Sequence, residues 1–372
     1  MVRRGLFLLS AILIAAFCAR SAGADVLIGV AGPMTGKDGW FGAQMERGAE
    51  LAVADLNAAG GVLGQQVQLI TVDDFCDPEQ AVAAARKLVS DGVIFVAGHY
   101  CSGASIPASE IYQAAGVLMI SPASTNPALT DQGRANVFRV NYRDDAAGVV
   151  VGNYLADHWA DGRIAILHDD TTFGKGVAEE TKKQLNRRGV TEAVYQAYVP
   201  GRNNYGAEIA ELQASDIDVL FLGGYHTEIA LMARAARDQG YPVQLIAGLS
   251  LATEEFGLIA GPAEGTLFID NPDPRERAEA APILERFRAS GTEPEGYTLP
   301  AYGAVQAWAQ AVEKAGSLEL EAVIASLREH QFETVLGPID FDEKGDLAVQ
   351  NPVLYVWHAD GSEMLEQDGA GE

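Results

Sequence analysis

The 372 residues of the chain exceed what one ordinary hydrophobic core sustains, so two lobes are expected, and a 48% hydrophobic content supplies apolar material for both. Acidic residues number 51 against 26 basic ones, a formal net charge of −25 that disfavours nucleic acid and anionic lipid as partners, because both demand clustered lysine and arginine. The charge leaves the ligand open, since a pocket can carry a local field opposite to that of the surface.

The amino terminus reads as a leader. Arg3 and Arg4 precede an apolar run from Gly5 to about Ala19, and Ala22-Gly23-Ala24 follows; this is the layout of a secretory signal peptide over residues 1–24, cut after Ala24. The run is short for a membrane span, which takes roughly 20 residues. The mature chain is expected to be soluble and exported, starting at Asp25. Without Arg3, Arg4 and Arg20 it carries 23 basic and 51 acidic residues, a balance of −28.

From Asp25 onward, short apolar runs alternate with amphipathic stretches. VLIGV (26–30) predicts a strand, followed by a glycine-rich loop and the helix GAQMERGAELAVADLNAAGG. VQLITVDD predicts the next strand and PEQAVAAARKLVSDG the next helix; VIFVAG, SIPASEIYQAAG and VLMISPAS then read as strand, helix and strand. After VFRVNYRDD the pattern restarts, with AAGVVVGNYLADHWADG helical, RIAILHDD a strand, KGVAEETKKQLNRRG helical and AVYQAYV a strand. GAEIAELQASD (helix), IDVLFLGG (strand) and TEIALMARAARDQG (helix) complete it. The strands are rich in β-branched residues with little alternation, as buried parallel strands are, and glycine repeatedly ends the helices. Two consecutive βα arrays follow, hence an α/β fold of two doubly wound lobes.

In open parallel sheets, ligands bind beyond the carboxyl ends of the strands, which selects loops 31–42, 99–103, 121–126, 169–174 and 223–227. HYCSG and SPASTNP place Ser102, Ser124 and Thr125 where a strand gives way to a helix. Free N–H groups and the helix dipole attract an anion there, although plain N-capping is the commoner use of such hydroxyls. Aromatic residues fill the other loops: Trp40, Phe41, Tyr100, Phe173 and Tyr225, with Tyr297 later in the chain. Their shared position at strand ends of both arrays points to one apolar cleft. His99, His168 and His226 also sit at strand ends but lack metal-ligand spacing, so no metal is expected. GPMTGKDGWFG lacks the dinucleotide spacing, and neither a phosphate loop nor a nucleophile elbow occurs, so no cofactor is expected. A hydrolase would have to rest on His99 and Cys101. Cys18 leaves with the leader, and two remaining thiols in an oxidising compartment most often pair. Paired, Cys76 and Cys101 close a loop of 24 intervening residues, worth ~3 kcal/mol in the chain-entropy view.

Several segments together carry a resemblance. DVLIGVAGPMTG, DLNAAGGVLGQQVQLITVDDFCDPEQAV, GHYCSGASIPASEIY, MISPASTNPALT, AILHDDTTFGKG, FLGGYHTEIALMARAARDQG, GPIDFDEKGD and VWHADG resemble the periplasmic leucine/isoleucine/valine-binding proteins, the type I periplasmic-binding fold of ABC importers. The resemblance runs through nearly the whole mature chain. It implies three crossovers between lobes, near 141–143, 270–272 and 351–354. The N-terminal lobe would then comprise 25–141 with 272–351, and the C-terminal lobe 142–271 with 352–372. It further implies the disulfide Cys76–Cys101 and carboxylate binding by Ser102, Thr125 and the backbone of Ala123. Tyr100, Phe41 and Tyr297 match pocket walls, and Phe173 and Tyr225 match residues that close over the ligand.

One position departs from the family. An acidic residue is expected after the strand matching VQLIAG to receive a ligand ammonium, and the segment AGLSLATEE has Leu249 and Ser250 there, with Glu254 and Glu255 downstream. The expectation is therefore a periplasmic, monomeric solute-binding protein and no enzyme, taking a branched-chain or other apolar amino acid by its carboxylate to a membrane permease. The alternatives are a receptor for an aromatic or deaminated carboxylate and a ligand-sensing partner of a separate signalling protein.

Overall fold

The computed structural model describes residues 25–249, 251, 253–358 and 361–365. The expected signal peptide over 1–24, Ser250 and the tail from 366 to 372 lie outside the described residues. In chain order the elements are β1 (Val26–Gly32), α1 (Gly39–Ala58), β2 (Val67–Asp73), α2 (Pro78–Ser90), β3 (Phe95–Gly98), α3 (Ser102–Ala115), β4 (Leu118–Ser121), α4 (Ala128–Asp131) and β5 (Val137–Arg139). Then come α5 (Asp144–His158), β6 (Ile164–His168), α6 (Thr172–Arg187), β7 (Val194–Ala197), α7 (Gly206–Ala214), β8 (Val219–Gly223), α8 (His226–Asp238), β9 (Gln244–Ala247), α9 (Glu254–Ala260) and β10 (Leu267–Asp270). The chain ends with α10 (Ala281–Ala289), α11 (Thr298–Ala315), α12 (Leu320–Glu329), the short pair β11 (Phe332–Thr334) and β12 (Gly337–Ile339), β13 (Val353–His358) and β14 (Gly361–Met364).

Two large sheets result, with strand orders β2-β1-β3-β4-β5 and β14-β13-β10-β9-β8-β6-β7, beside the small two-stranded sheet β11-β12. The first is wholly parallel. The second is parallel from β10 to β7, with β13 and β14 added antiparallel at one edge. Buried strands such as β3, β6 and β8 face helices on both sides, which explains their unbroken apolar runs. After β10 the chain returns to the first sheet: Trp308 of α11 stacks on Phe95 of β3, with centroids 4.9 Å apart. It leaves again before β13, so three passages join the lobes. Among the described residues no helix is long and apolar enough to cross a membrane.

Helices begin earlier than their sequence patterns suggest. Helix α1 starts at Gly39, α3 at Ser102 and α6 at Thr172, three residues before each apolar-periodic stretch. Phe41, Ser102 and Phe173 thereby sit on first helical turns and not in free loops.

Two of the passages are held by buried charge. Arg139, at the end of β5, donates from Nε to Asp346 at 2.5 Å and from Nη2 to Thr130 Oγ1 at 2.6 Å. Arg143 reaches the other Asp346 oxygen at 2.7 Å from the first passage. Both Arg139 and Asp346 have fully buried side chains. Removing the acid would leave the buried Arg139 guanidinium without its ion-pair partner, while Arg143 keeps Asp131 and Asp145. The Asp346→Ala variant is expected to lose about 3–5 kcal/mol of unfolding free energy in denaturant titrations; a loss under about 1 kcal/mol would mean that the network does not anchor the passages.

Candidate functional site

Strand order determines where a ligand-sized space can form. The first sheet reverses direction of travel between neighbours β1 and β3, and the second between β6 and β8. Turns after such strands diverge and leave a crevice. Tyr100, Ser102, Ala123, Thr125 and Tyr297 from the first lobe, with Tyr142 from the first passage, meet Phe173, Tyr225 and Leu249 from the second lobe there. These side chains nearly fill the space between them, leaving about 10 Å³. A larger cleft of about 390 Å³ lies beside Val140, Asp270 and Leu336, but Ser102 and Thr125 do not line it.

One end of the cavity is polar. First-turn N–H groups of a helix have no intrahelical acceptor, and a capping side chain usually takes one of them. At α3 the cap position holds Cys101, whose sulfur is bonded to Cys76 and which makes no capping hydrogen bond. Ser102, the first helical residue, accepts only a 3.3 Å bond from the Asn126 N–H. The Thr125 hydroxyl is buried and without a partner. Neither hydroxyl caps a helix, so the commoner use of such residues does not apply here. The Ala123 N–H gives a 3.3 Å bond to Ser121 Oγ, while its carbonyl is taken by Asn141 Nδ2 at 3.0 Å. Ser124 plays a different part: its Oγ donates to the Tyr100 carbonyl at 2.9 Å, tying the turn after β4 to the turn after β3.

The rest of the wall is aromatic. Tyr100 meets Tyr297 edge-on at 5.0 Å and Tyr225 at 6.0 Å, and Phe173 lies 5.3 Å from Tyr225. Burial pushes the phenols of Tyr100, Tyr142, Tyr225 and Tyr297 up, so they stay protonated and uncharged. Phe41 stands behind this wall. It stacks on Tyr100 at 4.9 Å and contacts Tyr297 and His226 edge-on, so it supports the cavity instead of lining it. Gly223 brings the second-lobe pair together, since a Cβ there would fall 2.2 Å from the Gly174 carbonyl oxygen. Tyr142 was not singled out by the strand-end rule, because it follows β5 inside a passage; its position within the expected crossover at 141–143 was the available signal.

The other candidates lie elsewhere. Trp40 is partly exposed on α1. His99 is fully buried, with Nδ1 at 2.5 Å from Asp74 and Nε2 at 2.9 Å from the Tyr112 hydroxyl, and Cys101 is no free thiol. Nε2 of His226 pairs with Glu255 at 2.8 Å, and His168 packs beside Tyr195. Among the described residues the one close group of metal-type ligands is Asp38 with Cys76 and Cys101, and both sulfurs are used in the disulfide. Glu254, the downstream acid nearest the departure, is exposed and lines an outer groove with Leu258 and Trp357; it does not reach the cavity. Leu249 does line it, so the wall is apolar where the related pattern has an acid.

The chain matches the periplasmic binding protein family over residues 25–362. It is 45% identical over 345 residues to the Leu/Ile/Val-binding protein homolog 1 of Brucella suis, covering 92% of this chain and 93% of that one. It is 38% identical over 362 residues to the leucine-, isoleucine-, valine-, threonine-, and alanine-binding protein of Pseudomonas aeruginosa, covering 95% and 96%. Among solved structures it is similar to an ABC transporter substrate-binding protein of Desulfitobacterium hafniense in complex with Leu, at a TM-score of 0.75 and 31% identity, over 92% of this chain and all of that one.

Behind Thr125 lies one carboxylate with an unusual environment. Asp144, at the start of α5, donates its N–H to the Thr125 carbonyl at 2.9 Å. Its side chain is fully buried, and no hydrogen bond of ordinary geometry reaches either oxygen. Burial pushes this carboxyl up to about 7, against the opposing pulls of the nearby Thr125 hydroxyl and Arg139. An unfolded Asp titrates near 4, so between about 4 and about 7 the native state binds the extra proton and its stability falls as pH rises. Asp144→Asn should remove that slope, gaining on the order of 2–4 kcal/mol relative to the parent across the window. Denaturant unfolding of both proteins at a series of pH values checks this, and parallel stability curves would contradict it.

Proposed function

The chain belongs to the periplasmic binding protein family, and on that footing we propose that it is the exported receptor of an ABC importer, capturing a branched-chain or other small apolar amino acid for delivery to a membrane permease. The observation that carries this reading is the convergence of unspent donors on one end of an uncharged aromatic cavity shared by both lobes. The α3 first-turn N–H groups and the hydroxyls of Ser102 and Thr125 take the carboxylate, with the backbone of Ala123 beside them. Tyr100, Tyr142, Tyr297, Phe173, Tyr225 and Leu249 take the aliphatic tail, and Phe41 fixes Tyr100 and Tyr297 from behind. A second charge on the ligand tail would meet no counter-charge there and would cost several kcal/mol. The protein acts by binding alone: its one strand-end thiol is in a disulfide and the adjacent histidine is enclosed. It works as a monomer in the periplasm once the leader is cut after Ala24. The lobes, 25–141 with 272–351 and 142–271 with 352–372, hinge at the three passages.

A second reading is favoured by Leu249. Where an acid would answer an ammonium the wall is apolar, which suits a deaminated carboxylate of the same shape. A charge-assisted hydrogen bond is worth about 1.5–3 kcal/mol, so the two readings differ by roughly tenfold or more in relative affinity.

Calorimetric titration with leucine, with its 2-oxo analogue and with an aromatic acid separates them. Leucine is expected to bind most tightly, in which case neutral oxygens such as the Thr125 hydroxyl serve the ammonium; preference for the oxo acid would overturn the amino-acid assignment. The Ser102→Ala, Thr125→Ala double variant should lose about 100-fold or more of affinity, and unchanged affinity would remove the anion site.

A further inference from the structure

We propose that Lys37 is a positioning residue for ligand retention: it neutralises Glu228 where the two lobes meet over the cavity, so that the closed state carries no unpaired buried acid. The inference rests on the binding reading above and concerns residues that do not line the cavity.

Lys37 and Asp38 lie on the turn between β1 and α1 in the first lobe, and Glu228 lies on the first turn of α8 in the second. Lys37 Nζ is 3.2 Å from Glu228 Oε1, across 191 positions of sequence. The same nitrogen sits 5.5 Å from the ring centroid of Tyr225, a wall of the cavity, so the pair bears directly on the residue that closes over the ligand. The two partners differ in burial: the Lys37 side chain is 44% exposed and that of Glu228 is 1% exposed. Glu228 Oε1 also accepts the Gly201 N–H at 2.9 Å, and Oε2 has no partner. Contact between the lobes also brings Asp38 of the first lobe into the field of Glu228 and Glu255 of the second, opposed by Lys37 and His226. The joint between lobes thus carries an excess of acid around Lys37.

The physical consequence is asymmetric. With the lobes apart, Glu228 keeps its bond from Gly201 but stands without Lys37. With the lobes together it is buried, and Lys37 is the cation that pairs with it. Deleting Lys37 therefore penalises the closed, ligand-holding state alone, whereas deleting both charges removes the penalty along with the bond.

Stopped-flow dissociation of leucine, with calorimetry, reads this in the full mature chain. Lys37→Met is expected to weaken affinity by about 10- to 100-fold, mostly through faster dissociation. Glu228→Gln, which keeps an acceptor for Gly201, should change it by less than about 3-fold. The double variant Lys37→Met, Glu228→Gln should recover to within about 3-fold of the parent, and Lys37→Arg should bind like the parent. An unchanged dissociation rate in Lys37→Met, or a double variant no better than it, would overturn the latch. A parent that binds no leucine would instead count against the binding reading. The latch is then decided without ligand, by electron-resonance distances between nitroxides at Lys87→Cys and Arg187→Cys. The short-distance population should fall in Lys37→Met and return in the double variant, and identical distributions in all three would equally overturn it.

Discussion

The start of α3 has no side chain to cap it, and much of the site follows from that. A helix that begins in a protein interior must satisfy its first N–H groups, and most sequences do so with a serine, threonine, aspartate or asparagine. Here Cys101 stands at the cap and its sulfur is committed to Cys76, so no side chain takes the first N–H groups of the helix. The disulfide fixes the turn from which Tyr100 and Ser102 project, and Ser124 binds that turn to the one carrying Ala123 and Thr125. The arrangement costs free energy while empty and becomes favourable when an anion occupies it.

Everything opposite that polar end is arranged to exclude water and charge. Four phenols kept protonated by burial, Phe173 and Leu249 make a wall on which an apolar tail gains contact area. The acidic groups near it, Asp38, Asp144 and Asp169, stand outside the lining, and burial pushes the pKa of all three up. A strongly acidic protein thereby holds a cavity suited to a carboxylate. Each lobe supplies part of the enclosure, so the wall is complete only when the lobes meet.

Much of this was legible in the sequence because the relevant rules are topological. β-branched runs separated by amphipathic stretches specify parallel sheets, and parallel sheets place functional turns at strand ends. That reasoning selected Tyr100, Ser102, Thr125, Phe173 and Tyr225, which the fold brings to one cavity. It misplaced Phe41, because a strand-end position does not say which way a first-turn side chain points, and Phe41 turned inward against Tyr100. It passed over Tyr142, which follows a strand inside a passage between lobes. It also left Glu254 available as an ammonium acceptor, although an acid in the first turn of a short helix is as readily a solvated face, and here it is one. The pairing of Lys37 with Glu228 was beyond any local pattern, since it exists only when two separately folded lobes meet.

On the proposed function, a single small carboxylate held by both lobes keeps them together. Small-angle scattering of the mature protein, with and without leucine at a concentration shown by calorimetry to saturate it, tests this most directly. A smaller radius of gyration is expected in the liganded sample, as hinge closure around a ligand requires. Superimposable curves at saturation would contradict it.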